Sequence, residues 1–275
     1  MIGGTSVSEN EIVVSRRKAV TLPLAGIGAA MVGAALLDTT PVASAATVTD
    51  DLLPANATKL KALTAALAAA PRNRNYTTVP QIVTEPSQWD AAALKLVLSY
   101  DGGPKQVWDN SALDSPWLNL MRNALNSQIW AWKHPNFLAV SATHGSAHFA
   151  LYDNYIWSKY LTEFTGGKYK KNIWIEVPPA ANANPADFQS ASGPFSGEAN
   201  SITVLQRRGV VFCGCHYAIW ELSGHFIKKG INPDKKSHQQ LAAELTDHLI
   251  PGVVLTPGIV GTIAELELAG FQYVK

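Results

Sequence analysis

The two cysteines of this chain lie one residue apart in the stretch VVFCGCHYAIWE, residues 210–221, and a histidine follows them directly. A cysteine thiolate is a nucleophile that can attack a sulfane sulfur and hold it as a persulfide. Cys215 is the candidate for this role, and His216 could assist it when protonated. For Cys213 the sequence leaves several roles open: a buried strand residue, a strained disulfide with Cys215, a resolving thiol or a metal ligand.

Two further histidines, His144 and His148, follow the apolar stretch FLAVSAT, residues 137–143. Together with Cys215 and His216 they form a set of soft nitrogen and sulfur ligands that could hold zinc, copper or iron. The alternative is that each histidine caps a helix or forms ordinary hydrogen bonds. No cofactor is predicted firmly, and a transition metal belongs to the hypothesis that competes with thiol chemistry.

The candidate cysteines and histidines can come together only if the strands that precede them end at the same side of a sheet. Residues 210–215 form a short apolar run typical of a buried strand, and residues 216–229 follow with helical character. Cys215 is therefore expected at the carboxyl end of a parallel strand, where open α/β sheets bind ligands. The N-terminus of the following helix is expected to lower the pKa of its thiol.

Apolar runs and amphipathic stretches alternate along the rest of the chain, which favours an α/β fold with a mainly parallel sheet. We expect further strands at 94–103, at 137–142, at 174–177, between 249 and 257, and at the C-terminus. Helices are expected over 56–70, behind Pro116, from about 147, and over 198–208, 236–248 and 258–269.

The first 45 residues have the pattern of an export signal. Arg16 and Arg17 precede a weakly apolar run rich in glycine and alanine, and Ala43 and Ala45 form a cleavage pattern of small residues. We predict a twin-arginine (Tat) signal peptide over 1–45 and a periplasmic or otherwise extracytoplasmic protein. A membrane anchor is the alternative, but we expect no stable membrane span in the mature chain.

The mature chain is expected to have two parts. Residues 46–90 are predicted as an N-terminal helix and linker arm, and residues 91–275 as the main domain with a loop insertion around 165–197. The chain has 22 Lys and Arg against 21 Asp and Glu. This balance gives no electrostatic case for nucleic acid as a partner, so we expect a small molecule or another protein.

Two stretches of the sequence carry a resemblance to a known family. LQRRGVVFCGCHYAI and the later LIPGVVLTPGIVGTIAELELAGFQYVK resemble the C-terminal half of the DsrE/DsrF-like family of intracellular sulfur oxidation, and LKLVLSYDGG and FLAVSATHGSAHFAL resemble its first two strands. The resemblance implies a three-layer α/β/α sandwich and a homo-oligomer of three or six chains. It also implies that Cys215 carries a persulfide and exchanges sulfur with a small sulfur compound or a sulfur-relay protein.

The sequence leaves three functions open. The first is an exported DsrE-like sulfur-handling protein that acts as a sulfurtransferase or as a sulfur carrier. The second is a metal- or cofactor-binding protein that uses His144, His148, Cys215 and His216. The third is a non-catalytic oligomeric binding module in which the cysteines are structural.

Overall fold

A computed structural model of the chain describes residues 52–275. The predicted signal peptide, residues 1–45, and the first residues of the predicted arm lie outside the described residues.

The centre of the fold is a five-stranded parallel sheet. Its strands are β1 (Lys105–Asn110), β2 (Leu138–Thr143), β3 (Val211–Cys215), β4 (Val254–Thr256) and β5 (Gln272–Val274). Their order across the sheet is β4-β3-β2-β1-β5, and every neighbouring pair is parallel. The predicted α/β fold with a mainly parallel sheet is therefore confirmed.

The α-helices of six residues or more are α1 (Thr58–Ala69), α2 (Ala91–Leu98), α3 (Trp117–Asn126), α4 (Ile202–Arg207), α5 (His216–Lys229), α6 (His238–Asp247) and α7 (Ile259–Leu268). A helical stretch with π geometry in its middle comprises Asn154–Ile156, Trp157–Leu161 and Thr162–Phe164, and a π turn, Ser127–Ala131, extends α3. Short 3₁₀ turns are formed by Pro86–Gln88, Gly145–Leu151, Ile173–Ile175, Pro179–Asn182 and Gly197–Ala199.

Helices pack on both faces of the sheet because successive strand residues alternate between two apolar cores. On β3, Val211, Cys213 and Cys215 belong to the core that includes residues of α1, α2 and α7. Phe212, between them, belongs to the other core, with residues of α3, α4, α5 and α6. Both cysteines therefore lie on the same face of the sheet, as the strand pattern predicted.

The predicted first strand at 94–103 is wrong. Residues 91–98 form helix α2, and the first strand begins only at Lys105. The physical reason is that Ala93, Leu94 and Val97 occupy one face of a helix and are buried together, while three alanines at the start favour helix. The predicted strand at 174–177 is also wrong, since Ile173–Ile175 is a single 3₁₀ turn.

The other predicted elements are present with shifted ends. The predicted helix at 56–70 corresponds to α1, and the predicted helices at 216–229 and 258–269 correspond to α5 and α7. The helix expected from about residue 147 begins later, at Asn154, because Gly145–Leu151 forms 3₁₀ turns. Within residues 52–275, no helix combines the length and the apolar character needed to cross a bilayer.

Candidate functional site

The thiol of Cys215 lies where two helices begin. Its Sγ accepts hydrogen bonds from the backbone N–H of Ala218 and of Ile259, each at 3.4 Å. Ala218 is in the first turn of α5, for which Cys215 is the N-cap, and Ile259 is the first residue of α7. The two helix dipoles and their free N–H groups therefore meet at one sulfur atom, an arrangement that stabilises negative charge.

Burial nevertheless dominates the acidity of this thiol. Cys215 is 5 % exposed, and burial raises its pKa, while backbone N–H groups of Ile259, Ala218 and Tyr217 act in the opposite direction. The N–H groups at the helix start lower the pKa as predicted, but the predicted net lowering is wrong for the free thiol, because burial raises the pKa by more. The N–H groups offset part of the desolvation cost and do not exceed it.

A cavity of about 590 Å³ opens above Cys215. Its lining is mainly apolar, and among residues 52–275 Glu265 is the one charged side chain that lines it. The other lining residues are Val83, Trp89, Leu94, Tyr217, Pro257, Gly258, Ile259, Val260, Gly261 and Thr262. The walls thus come from the start of α5, the start of α7 and the segment that precedes α2.

His148 supports the backbone of Cys215. The Cys215 N–H donates to His148 Nε2 at 3.1 Å, so the imidazole replaces a carbonyl of the neighbouring strand. The ring is fully buried, and this burial, with a smaller contribution from His144, lowers its pKa to about 3. His148 is therefore neutral at physiological pH, with its proton on Nδ1. A Cβ at residue 214 would lie 3.2 Å from Nε2, so Gly214 allows this approach.

His216 is turned toward the arm. Its Nε2 lies 2.8 Å from the carbonyl oxygen of Pro80 and 3.2 Å from that of Gln81, so it donates to these acceptors. Burial lowers the pKa of His216, with an opposing contribution from the two carbonyls. The ring therefore ties the arm to the start of α5 as a neutral group, and its Nε2 proton is not available to the thiol.

His144 belongs to a separate cluster at the carboxyl edge of the sheet. Its Nε2 lies 2.6 Å from Asp109 Oδ1, and the hydroxyl of Tyr273 donates to Asp109 Oδ2 at 2.6 Å. Burial would raise the pKa of Asp109, but hydrogen bonds from Tyr273 and His144 outweigh it and lower the pKa.

The four residues of the predicted metal set are thus engaged with different partners. His148 contacts the Cys215 backbone, His216 contacts the arm, and His144 contacts Asp109. Within residues 52–275, no three or more His, Cys, Asp or Glu side chains are grouped so that they could hold a metal ion. The arrangement gives the metal hypothesis no support.

Cys213 lies deeper than Cys215 on the same face of β3. It is fully buried, and both cysteines are free thiols, so the strained disulfide is not formed. Burial raises the pKa of Cys213 to about 12, with Asp90 raising it further and Arg72 opposing. This thiol is protonated at neutral pH, and the reading of Cys213 as a lining residue of the strand fits its surroundings best.

The sequence analysis did not predict that α7 and the arm contribute residues to the site around Cys215. The Pro257–Gly258 pair before a predicted helix was a usable signal, because adjacency of β3 and β4 would have placed that helix start beside Cys215. Val83 and Trp89 gave no signal, since they lie in a stretch without periodicity.

Neither the models of known families, nor the curated proteins, nor the solved structures contain a match to this chain.

Proposed function

We propose that this protein carries sulfane sulfur as a persulfide on Cys215. The observation that supports the proposal is the position of the Cys215 Sγ, which lies at two helix N-termini and at the floor of an apolar cavity. A persulfide is more acidic than the thiol from which it forms. The carrier form is therefore ionised at a lower pH than the free thiol, and the two helix N-termini that meet at Cys215 favour a negative charge there.

The transfer step needs no oxidant. The Cys215 thiolate attacks the outer sulfur of a donor R–S–SH, a new S–S bond forms, and the donor's S–S bond breaks. The donor leaves as R–S⁻ with the electron pair, and the protein keeps Cys–S–SH, which loses its proton to water. Delivery to an acceptor thiolate follows the same exchange in reverse.

The cavity favours one class of donor. Its walls are mostly apolar, and its one charged side chain, Glu265, is negative. A dianion such as thiosulfate would lose its hydration and meet this carboxylate, whereas an organic persulfide or a polysulfide would lose less on entry. We therefore expect donors with an apolar group or a sulfur chain to be used in preference to thiosulfate.

Membership of the DsrE-like group is part of the proposal. The parallel sheet with helices on both faces supports a three-layer α/β/α sandwich of that type. With it come the export of the protein by the Tat route, its extracytoplasmic location, an assembly of three or six chains, and a sulfur-relay protein or a small sulfur compound as partner.

The test compares Cys215→Ser with Cys213→Ser. Each variant and the wild type are incubated with an organic persulfide, freed of excess donor, and examined by intact-mass and peptide mass spectrometry. We expect wild type and Cys213→Ser to gain one sulfur atom on the peptide that contains residue 215, and Cys215→Ser to gain none. Equal sulfur uptake by folded Cys215→Ser would refute the proposal.

A further inference from the structure

Arg208 is a buried guanidinium for which the described residues, 52–275, provide no carboxylate partner. It is 1 % exposed and lies at the end of α4, just before β3. Its Nη2 donates to the neutral amide oxygen of Asn126 at 2.7 Å, and its guanidinium lies over the rings of Trp130 and Phe195, with 5.7 and 5.0 Å to the ring centroids. The Nε and Nη1 groups are also buried, and among residues 52–275 they have no hydrogen-bond partner.

A second arginine, Arg122, is only half-buried as a side chain, but it also has buried N–H groups without an acceptor among the described residues. Arg122 lies one turn before Asn126 on α3, so both side chains project from one face of that helix. Its Nη2 donates to the side chain of Asn123 at 2.9 Å. Its Nε and Nη1 are buried and unpartnered within the described part of the chain. A Cβ at residue 197 would lie 2.8 Å from Arg122 Nη1, so any larger residue at that position would require the guanidinium to shift.

This pair is costly as it stands. Four N–H-bearing atoms lack acceptors among the described residues, and each buried unsatisfied donor carries a desolvation cost. The two like charges also repel each other: burial and, to a smaller extent, the charge of Arg122 lower the pKa of Arg208 to about 9. A buried charge of this kind is normally compensated by an anion.

We propose that Arg122 and Arg208 form an internal binding site for a small oxyanion. Guanidinium groups present paired N–H donors that match the oxygens of a carboxylate, a phosphate or a sulfate. The unpartnered Nε and Nη1 atoms of each arginine supply two such donors, and the flanking rings of Trp130 and Phe195 hold the Arg208 group in place.

The site is separate from the thiol. Arg208 lies before the first residue of β3 and Cys215 is its last residue, so they lie at opposite ends of a strand that is about 13 Å long. The arginine pair lies beneath the segment that was predicted as a loop insertion, around residues 165–197. Residues 183–189 are exposed, and Phe188 stacks on Trp130 at 5.4 Å between ring centroids. An anion would enter beneath this segment.

The test is thermal unfolding with oxyanions at constant ionic strength, set with chloride. Wild type, Arg208→Met and Arg122→Met are titrated with phosphate, sulfate and acetate, and Lys170→Met serves as a control that removes an exposed positive charge. We expect a saturable rise in the Tm of wild type and Lys170→Met, and loss of this rise in both arginine variants. A response to acetate alone assigns a carboxylate, and a response to phosphate or sulfate assigns a tetrahedral anion.

Thermal unfolding in chloride alone, without an added oxyanion, serves as a second control, for which the direction of the change in Tm is predicted. There the wild type contains an uncompensated charge, so Arg208→Met is expected to unfold at the same or a higher temperature. A linear response that is equal in all four proteins would overturn the proposal, because it is a general salt effect. If Arg208→Met does not fold, wild type and Arg122→Met are compared by calorimetric titration with phosphate, sulfate and acetate. A binding heat that is present in wild type and absent from Arg122→Met supports the site. Equal heats in both proteins, or no heat in wild type, refute it.

Discussion

The carboxylate of Glu244 is the most heavily hydrogen-bonded acidic group described in this protein, and its contribution to stability can be worked out. Oε1 accepts from Lys159 Nζ at 2.6 Å and from the hydroxyl of Tyr155 at 3.0 Å. Oε2 accepts from the hydroxyl of Tyr160 at 2.6 Å and pairs with Lys236 Nζ at 2.9 Å. These contacts join α6 to the helical stretch that begins at Asn154.

The shift in the pKa of Glu244 gives the size of its contribution to the free energy of unfolding. Burial alone would raise it, but the hydrogen bonds outweigh burial and lower the pKa from 4.5 to about 2. Because the folded-state pKa is the lower one, the stabilisation is complete above pH 4.5 and is lost as pH falls toward 2. The shift corresponds to about 3 kcal/mol at pH 7 and about 1 kcal/mol at pH 3. The side chain is 8 % exposed, so solvent screens little of this.

The perturbation is Glu244→Gln, measured by urea unfolding at pH 7 and at pH 3. We expect the variant to lose about 3 kcal/mol of unfolding free energy at pH 7 and about 1 kcal/mol at pH 3. Glu163→Gln, on an exposed position, is the matched control and should change stability by less than about 0.5 kcal/mol at either pH. An equal loss for Glu244→Gln at both pH values would refute the reasoning, since the penalty would not depend on ionisation.

Two further predictions concern the thiol site. In the folded protein, iodoacetamide should modify Cys215 slowly, at a rate that increases with pH, whereas Cys213 should react only in denaturant. Peptide mass spectrometry measures the labelling of both thiols. Equal labelling of the two thiols in native protein would contradict the burial argument. His148→Leu should lower the free energy of unfolding by about 1–3 kcal/mol at pH 7, because the Cys215 N–H loses its acceptor. The difference in unfolding free energy between wild type and variant should shrink as pH falls from 6.5 toward 4, because the wild-type imidazole stays neutral in the folded protein and takes up a proton on unfolding. A difference that increases in acid would contradict this prediction.

The elements around Cys215 could be predicted from sequence because their local signals agree with their environment. Residues 211–215 are buried on both faces of the sheet and therefore form a continuous apolar run. The helix α5 ends at Gly230 in the left-handed conformation, the usual signal for a helix end. The location of Cys215 at the carboxyl end of a strand followed from these two elements.

The first strand could not be placed in the same way. The run from Leu94 to Leu98 is apolar enough for a buried strand, and its neighbour along the chain, Lys105–Asn110, is more polar. The choice between them is decided by packing, because Leu94 and Val97 cover the sheet as part of a helix while Val107 and Trp108 enter the two cores. Periodicity over so short a run does not distinguish these cases.

The acidity of the thiol and the distribution of the histidines depend on tertiary contacts. A helix N-terminus was visible in the sequence, but the burial that outweighs it arises only when the folded chain closes around Cys215. His144 and His148 follow one strand, yet one contacts Asp109 on β1 and the other contacts β3. Their separation follows from the 3₁₀ turns between residues 145 and 151.

The arm that precedes α2 is as much a part of the cavity as the strand that bears the thiol. Val83 and Trp89 form its outer wall, the Pro80 carbonyl accepts from His216, and Asp90 accepts from the backbone N–H of Leu255 on β4. Substitutions in this segment can change the size and polarity of the entrance without altering the sulfur atom or the two helices that face it. Under the proposed function, ligand preference can therefore be changed through a part of the chain that does not bear the reacting sulfur.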